Sequence, residues 1–168
     1  MTVPAELALV LDAFERNARV NRALLDTLDM DVLRYSDGVG GFNIGQHLAD
    51  IVEFRRGWLS KVSPQHMERL DDPTDGASPT WLRASSIAEV QAAFDAGDAA
   101  MRDAVVNAVQ EGRTFQGYYE SHPAALIQHC IVHDAHHRGQ IMALLRQSGR
   151  PAAEREALEQ ATWPIWRE

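Results

Sequence analysis

Residues 123–149 of the chain read PAALIQHCIVHDAHHRGQIMALLRQSG, and this stretch decides the fold class. Its leucines and isoleucines recur at the three- and four-residue spacing of an α-helix. Pro123 suits the start of a helix, whereas Gly149 with Pro151 beyond it suits the end of one. We therefore expect a long helix from Pro123 to just before Gly149. It carries four of the seven histidines of the chain, so its inner face is chemically unusual.

Three further segments show the same helical periodicity. They are predicted to run over Pro4–Leu28, Asn43–Val62 and Ser86–Gly112. Gln46 and Glu89 follow the N-caps of the second and third segments by three residues, which predicts a capping box at each start. No segment alternates with period two for long enough to form a strand. The sequence therefore predicts an all-α protein, a four-helix bundle with a short C-terminal extension at 152–168.

The connections between these helices have distinct compositions. Ser36–Gly41 is rich in glycine, but no strand precedes it and no Lys-Ser or Lys-Thr pair follows, so we interpret it as a flexible connector and not a phosphate loop. Ser63–Trp81 is a long irregular connection that we expect to shape the entrance of a site. The extension carries Trp163 and Trp166, which predicts that it packs back on the bundle.

Length and charge limit the function further. The chain has 168 residues, 45% of them hydrophobic, and a net charge of −8. This length predicts a single domain over residues 1–168, and the charge argues against nucleic acid or anionic lipid as a partner. The single cysteine, Cys130, fits a reducing compartment. Met1–Ala5 lacks the pattern of a secretory signal, so we expect a cytoplasmic protein with a small-molecule substrate.

The histidines of the 123–149 helix lie on its core-facing stripe. In a helical projection, His133 and His137 fall within about 40° of Leu126 and Leu144. A buried imidazole without a partner costs about 1–3 kcal/mol. Hydrogen bonds to carbonyls or carboxylates would explain the pattern. A metal ion would explain it too, because residues spaced i, i+4 present both rings to one point.

A third candidate ligand lies on the second helix, where His47 shares a stripe with Ile51 and Phe54. Two helices that both bury histidine are expected to pack on each other. We therefore predict a divalent metal ion held by His47, His133 and His137, with an open position for water or substrate. All-nitrogen ligation suits zinc, nickel, copper or ferrous iron.

Several neighbouring residues have more than one interpretation. His129 is an alternative ligand, although an outer-sphere or structural role is preferred, and Asp50 either orients an imidazole or is solvated. Gln140 either bonds bound water or is a packing amide. Arg138 is interpreted as a surface or interface charge, and Cys130 as a small buried hydrophobe.

The far side of the 123–149 helix is also apolar, with Ile127, Ile131 and Met142. Such a helix is either central in the bundle or covered by another subunit. We therefore expect a homodimer.

The run His133-Asp-Ala-His-His137-Arg-Gly-Gln-Ile141, continued by Leu-Leu-Arg and Gly-Arg-Pro up to Pro151, resembles the C-terminal motif of the DinB/YfiT-like metalloenzyme superfamily. Asn43–Trp58, with His47 followed by Leu-Ala-Asp, resembles its helix-two motif. The order of elements matches over nearly the whole chain.

This resemblance implies a four-helix bundle, often dimeric, with a divalent metal ion, zinc or nickel first, on His47, His133 and His137. Characterised relatives include S-transferases that use low-molecular-weight thiols such as bacillithiol or mycothiol, and a mycothiol-dependent isomerase. Others are named metal-dependent hydrolases. The expected function is therefore thiol-dependent S-transfer or hydrolysis. A non-catalytic metal-binding stress-response protein, with His129 as fourth ligand, and a metal-free structural bundle stay as alternatives.

Overall fold

The computed structural model describes residues 4–168. Met1–Val3 lie outside the described residues, and with them most of the stretch on which the prediction of no secretory signal rests. The described chain is helical, without named strands, and this confirms the all-α prediction. Its helices are α1 (Ala5–Leu25), α2 (Ile44–Val62), α3 (Pro64–Met67), α4 (Ile87–Gln110), α5 (Ala124–Gln147) and α6 (Ala152–Thr162). No helix in this range has the length and apolarity needed to cross a bilayer.

The bundle consists of the four long helices, α1, α2, α4 and α5, and α5 contacts each of the other three. Its apolar interior has two parts. One surrounds Leu48, Ile51 and Ile141, and the other surrounds Met101 and Leu126, all of them inaccessible to solvent. Burial of side chains of this size is the main force that holds such helices together. The helices that carry the predicted ligands, α2 and α5, are therefore packed directly on each other.

The capping predictions hold fully for α2 and in part for α4. Asn43 Oδ1 accepts the Gln46 backbone N–H at 2.8 Å, and Gln46 Oε1 accepts the Asn43 backbone N–H at 2.9 Å. At α4, Ser86 Oγ accepts the Glu89 N–H at 3.3 Å, but the Glu89 carboxylate accepts the backbone N–H of Ser85 instead. The capping box predicted there is therefore half formed, because the neighbouring serine offers both an N–H and a hydroxyl to the same carboxylate.

The long connection between α2 and α4 is held against the bundle at two points. It begins with the short helix α3, in which buried His66 bonds Ser63 Oγ at 2.7 Å and the amide of Asn107 at 3.2 Å. At its far end Thr80 packs so tightly on the start of α2 that a Cβ on Gly45 would lie 2.5 Å from the Thr80 Cβ. Only glycine permits this approach, so the connection lies over the first turns of α2.

The C-terminal extension packs on α1, as predicted, but not mainly through its tryptophans. Leu158 of α6 is buried, and Arg16 Nη1 donates to the Ile165 carbonyl at 2.8 Å. Trp163 stays 60% exposed and Trp166 38% exposed. Leu158, the Arg16 hydrogen bond and an ion pair between Arg19 Nη2 and Glu168 at 2.7 Å therefore contribute to the docking, whereas the tryptophans stay partly exposed.

A buried ionic network ties the four long helices together. Arg55 of α2, with no exposed surface, donates to both carboxylate oxygens of Asp134 on α5 at 2.6 and 2.7 Å. It also donates to Asp98 of α4 at 2.7 Å. Asn17 and Asn21 of α1 donate to the same Asp134 oxygen at 2.7 and 2.8 Å.

Arg138 completes this network and corrects a prediction. Instead of lying free on the surface or in an interface, its guanidinium donates to the side-chain oxygens of Asn17 and Asn21 at 2.7 and 2.6 Å. Each asparagine amide thus bridges Arg138 to Asp134. Burial favours a neutral Asp134, but Arg55 and the asparagines outweigh it and lower the pKa of this carboxyl.

Substitution of Asp134 by alanine should destabilise the protein strongly. It removes the bidentate partner of a fully buried guanidinium, and such a loss costs about 3–5 kcal/mol of unfolding free energy. Urea unfolding of chelator-treated protein measures this. Asp95→Ala is the matched control, because it breaks an ion pair with Arg22 that also joins two helices but is half exposed, and it should cost less than about 1 kcal/mol. Equal losses in the two variants would contradict the role of the network.

Candidate metal centre

The site begins with the first turns of α2. The capping box fixes the start of this helix at Asn43, and His47, Asp50 and Phe54 then follow about one turn apart. They share the face that packs on α5. His47 is buried, while Asp50 keeps 43% of its side chain exposed. This face of α2 is therefore buried at His47 and open to solvent at Asp50.

The second half of the site comes from α5, where His133 and His137 lie on adjacent turns with ring centroids 4.5 Å apart. His137 Nε2 lies 3.1 Å from Asp50 Oδ2, and its Nδ1 lies 2.9 Å from His47 Nδ1. An ionised carboxylate only accepts hydrogen bonds. His137 therefore donates from Nε2 to Asp50, and in its neutral form it accepts at Nδ1 from His47. The predicted role of Asp50 in orienting an imidazole is present in the structure, with His137 as the imidazole.

Three side chains converge with the geometry of a metal site. Asp50, His133 and His137 each offer one donor atom, and these atoms all lie within 4.8 Å of one another. Zinc ligands lie 2.0–2.2 Å from the ion, so donors on one ion are roughly 3–4 Å apart. Small side-chain movements would therefore let the three residues share a cation.

His47 stands beside this group and meets His137. Its ring centroid lies 5.2 Å from that of His137. The structure thus brings all three predicted histidines to one place and adds Asp50 to them. Ligation by His47, His133 and His137 together stays a prediction.

The donor atoms have the properties that a cation needs. His133 Nδ1 is buried and has no hydrogen-bond partner among residues 4–168, which is costly for a polar atom unless a ligand satisfies it. Burial, reinforced by the neighbouring His137, lowers the pKa of His133 to about 4, and burial lowers that of His47 to about 4 as well. Both rings are therefore neutral at pH 7, which is the form that binds metal ions.

Aromatic rings surround these histidines. Phe54 stacks on His133 with ring centroids 4.1 Å apart and meets His129 edge-on at 4.9 Å. His129 itself bonds the Tyr119 hydroxyl at 2.8 Å and is exposed. A phenyl ring thus packs against both imidazoles, and His129 is not part of the converging donor group.

The remaining candidates are not part of the converging donor group, although the ring of His136 meets that of His137 edge-on at 5.0 Å. His136 and Gln140 are exposed on α5. Cys130 is fully buried, as predicted for a small hydrophobe, and burial raises the pKa of its thiol well above the usual value. A protonated thiol in this position is a poor metal ligand.

A cavity of about 270 Å³ opens beside Asp50. Glu53 of α2 lines it together with Thr74, Gly76 and Trp81 of the long connection. Trp81 leans on Phe42, which in turn meets the His47 ring at 5.4 Å. The predicted role of this connection in shaping the entrance of a site thus agrees with the structure.

Some residues around the site escaped the sequence analysis. The sequence analysis places Phe54 on a core-facing stripe and assigns no role to Arg55, Asp98 or Asp134. One signal was available in the helical projections: Arg55 and Asp134 each fall on the buried side of their helix, among leucines and isoleucines. Opposite charges on two core-facing stripes predict a buried ion pair.

The neutral histidines should make stability fall in acid. In chelator-treated protein, His47 and His133 bind protons in the unfolded chain near pH 6.5 but in the folded chain only near pH 4. Their contribution is therefore complete above pH 6.5 and is lost as the pH falls towards 4. Urea unfolding should show a larger loss of free energy between pH 7.5 and 5 in the wild type than in a His47→Gln/His133→Gln double variant.

The contribution of Asp98 to the free energy of unfolding changes in the opposite direction over the same pH range, because burial raises the pKa of Asp98 to about 6. It is present in both proteins, so its contribution cancels in the difference between them. Equal losses in wild type and double variant would show that the two imidazoles do not titrate as the buried geometry requires.

Comparison with known proteins agrees with the motif in α5. Neither the curated proteins nor the solved structures include a match to this chain. Among protein families, the DinB family matches over residues 1–168, the whole length of the chain. This match, together with a helical bundle that places three histidines at one site, shows that the chain belongs to the DinB family.

Proposed function

We propose that this protein is a metal-dependent enzyme that acts on a small molecule beside Asp50. The observation that supports this most directly is the convergence of donor atoms from Asp50, His133 and His137 within 4.8 Å of one another. In addition, His133 has a buried Nδ1 that lacks a hydrogen-bond partner among residues 4–168. Family membership and this donor group fit a metal-dependent protein. Two imidazoles and a carboxylate suit a divalent transition metal, with zinc or nickel as our first choices.

Two donor sets are open to such an ion. In one, Asp50, His133 and His137 bind it, and His47 orients His137 through the contact between their Nδ1 atoms. In the other, His47 replaces Asp50 as the third ligand, and Asp50 orients His137 from outside. Outer-sphere partners of this kind fix the tautomer and direction of a ligand ring. Either set would supply three protein ligands, so a four-coordinate ion would keep one position for water or substrate.

A divalent cation held there would supply Lewis acidity and lower the pKa of an incoming nucleophile. The side chains around such an ion would set the charge and the proton-binding groups of the site. The hydrogen bond from His137 lowers the pKa of Asp50, so this carboxylate is a weak base. Burial raises the pKa of Glu53, which lines the same cavity and is better suited to hold a proton. Phe54 and Trp81 provide aromatic surface beside these groups.

We favour a low-molecular-weight thiol as the nucleophile, because a thiol loses its proton more readily than water and needs less help from a base. The enzyme would then move sulfur onto an electrophilic substrate. Hydrolysis, with water as the nucleophile, is the second candidate reaction for the same site. A non-catalytic metal-binding protein has less support, because His129, the fourth ligand that this alternative requires, is hydrogen-bonded to Tyr119.

We also keep the homodimer as a proposal. Val132 of α5 is 66% exposed, and Ala135 and Gly139 lie exposed on the same helix. A second copy packed against this face would cover it. The catalytic proposal does not depend on that pairing.

Metal binding tests the site directly. Untagged protein should retain about one zinc or nickel ion per chain after dialysis, as measured by elemental analysis, and His133→Ala and His137→Ala should lose it. A residue that only orients a ligand should weaken binding by about 10- to 100-fold, and a true ligand by more. Comparison of His47→Ala with Asp50→Asn therefore identifies the third ligand.

His136→Ala is the matched control, because His136 is exposed on α5 next to His137 and should leave the metal content unchanged. Wild-type protein that binds no transition metal would favour the metal-free structural bundle. Retention of metal by His133→Ala would refute the assignment of that ligand.

Thiol transfer is tested by incubating zinc- or nickel-loaded protein with a chromogenic electrophile and a series of low-molecular-weight thiols, next to a panel of esters. We expect turnover that depends on both thiol and metal, and its loss in His133→Ala. Hydrolysis of esters alone would exclude the thiol reaction and leave the hydrolase.

A further inference from the structure

Aromatic side chains continue along α2 and α5 beyond the metal donors. On α2, Phe54 and Trp58 follow Asp50 at intervals of about one turn, and on α5 His129 lies one turn before His133. Two tyrosines from the connection between α4 and α5 stand against them. The result is a continuous row of rings that begins at a metal donor and reaches solvent. This aromatic row consists of His133, Phe54, His129, Trp58, Tyr119 and Tyr118.

Each ring of the aromatic row meets the next. The centroid of the Phe54 ring lies 4.1 Å from that of His133 and 4.9 Å from that of His129. The Trp58 ring in turn lies 5.6 Å from His129 and meets Tyr118 edge-on at 5.6 Å. Stacked and edge-on pairs at these separations attract each other. The rings therefore hold one another in place.

A hydrogen bond and a cation fix the outer half of the row. The Tyr119 hydroxyl bonds His129 Nδ1 at 2.8 Å, and Trp58 packs against both of these rings. Lys61, the only lysine of the chain, places its ammonium group 4.9 Å from the centroid of Trp58 and 6.0 Å from that of Tyr118. A cation in this position is attracted by the negative face of a ring. A surface that is ordered in this way before a ligand arrives binds it at a lower entropic cost.

The aromatic row also offers surface for a ligand to cover. Tyr118 is 50% exposed, His129 is exposed, and Phe54 and Trp58 are only half-buried. Pairs of aromatic rings contribute binding free energy beyond that of the area they bury. Such a surface therefore favours a flat aromatic molecule over a saturated one of the same size.

We propose that the aromatic row binds the aromatic part of the substrate, so that the enzyme acts on aromatic electrophiles. The ring of the substrate lies against Phe54, Trp58 and Tyr118, and its reacting carbon lies at the inner end of the row, beside His133 and Asp50. The assignment to a reaction rests on the proposed function, whereas the binding of aromatic molecules does not.

Binding is tested on full-length, chelator-treated protein with two alcohols of nearly the same size, 2-naphthol and decahydro-2-naphthol. Each has one hydroxyl, but only the first is aromatic. Calorimetric titration should show saturable binding of one 2-naphthol per chain, about 3- to 10-fold tighter than binding of the saturated alcohol. Equal affinities, or the absence of saturable binding of 2-naphthol, would overturn the proposal.

Variants locate the bound ring. Trp58→Leu and Tyr118→Leu should each weaken binding of 2-naphthol about 3- to 10-fold. Trp163→Leu is the matched control, because Trp163 is 60% exposed on the C-terminal extension, outside the aromatic row, and should not matter. Circular dichroism and thermal melting establish that each variant is folded, and half-exposed Tyr118 is the position that tolerates substitution better. Unchanged binding in Tyr118→Leu, or weakened binding in Trp163→Leu, would refute the assignment.

Turnover connects the aromatic row to the reaction. Benzyl acrylate and cyclohexylmethyl acrylate carry the same reactive group and differ only in the ring. In thiol transfer the sulfur bonds to the terminal carbon of the double bond and the thiol proton passes to the neighbouring carbon, whereas hydrolysis releases acrylate and the alcohol. In metal-loaded protein, KM for the benzyl ester should be about 3- to 10-fold lower, and Tyr118→Leu should remove this difference without changing kcat.

The two assays separate the two proposals. Turnover with equal KM values for both esters would refute the aromatic row as the substrate site. Selective binding of 2-naphthol in a protein that turns over neither ester would contradict the proposed function and support the aromatic site.

Discussion

The bidentate ion pair between Arg55 and Asp134 is the constraint on which the rest of the structure depends. It joins α2 to α5 with no exposure to solvent, and its further bonds reach Asp98 on α4 and two asparagines on α1. A buried charge that loses its partner is strongly unfavourable, so the four helices cannot rotate or slide independently. Gly97 serves the same contact, because a Cβ there would lie 3.2 Å from the Arg55 side chain.

This constraint also positions the candidate metal centre. Arg55 follows Phe54, which stacks on His133, and Asp134 follows His133. The rotation of α2 and α5 that satisfies the ion pair is therefore the one that turns the histidines and Asp50 towards one another. The same burial that isolates the ion pair keeps the His47 and His133 rings neutral. One interface thus holds a charged pair in its interior and two neutral imidazoles, those of His47 and His133, nearer its edge.

The two sides of α2 have different chemistry. The side that faces α5 presents histidine, aspartate and aromatic rings, as expected for a cation and a reactive small molecule. The side that faces α4 and the long connection borders a cavity of about 510 Å³. The connection lines the surroundings of both sides, with Trp81 at the first and Arg69 and Arg83 at the second.

Local patterns in the sequence determined the four long helices, the capping box at Asn43 and the placement of His47, His133 and His137 on inward faces, because helical periodicity and capping act over a few residues. They also identified the family through the motif that begins at His133. Tertiary structure alone decided that Asp50 pairs with His137, that Arg138 bonds two asparagines of α1, and that Arg55 meets Asp134 79 positions along the chain. Those contacts depend on how far each helix is rotated against its neighbours, and rotation is set by packing of the whole bundle, not by any short segment.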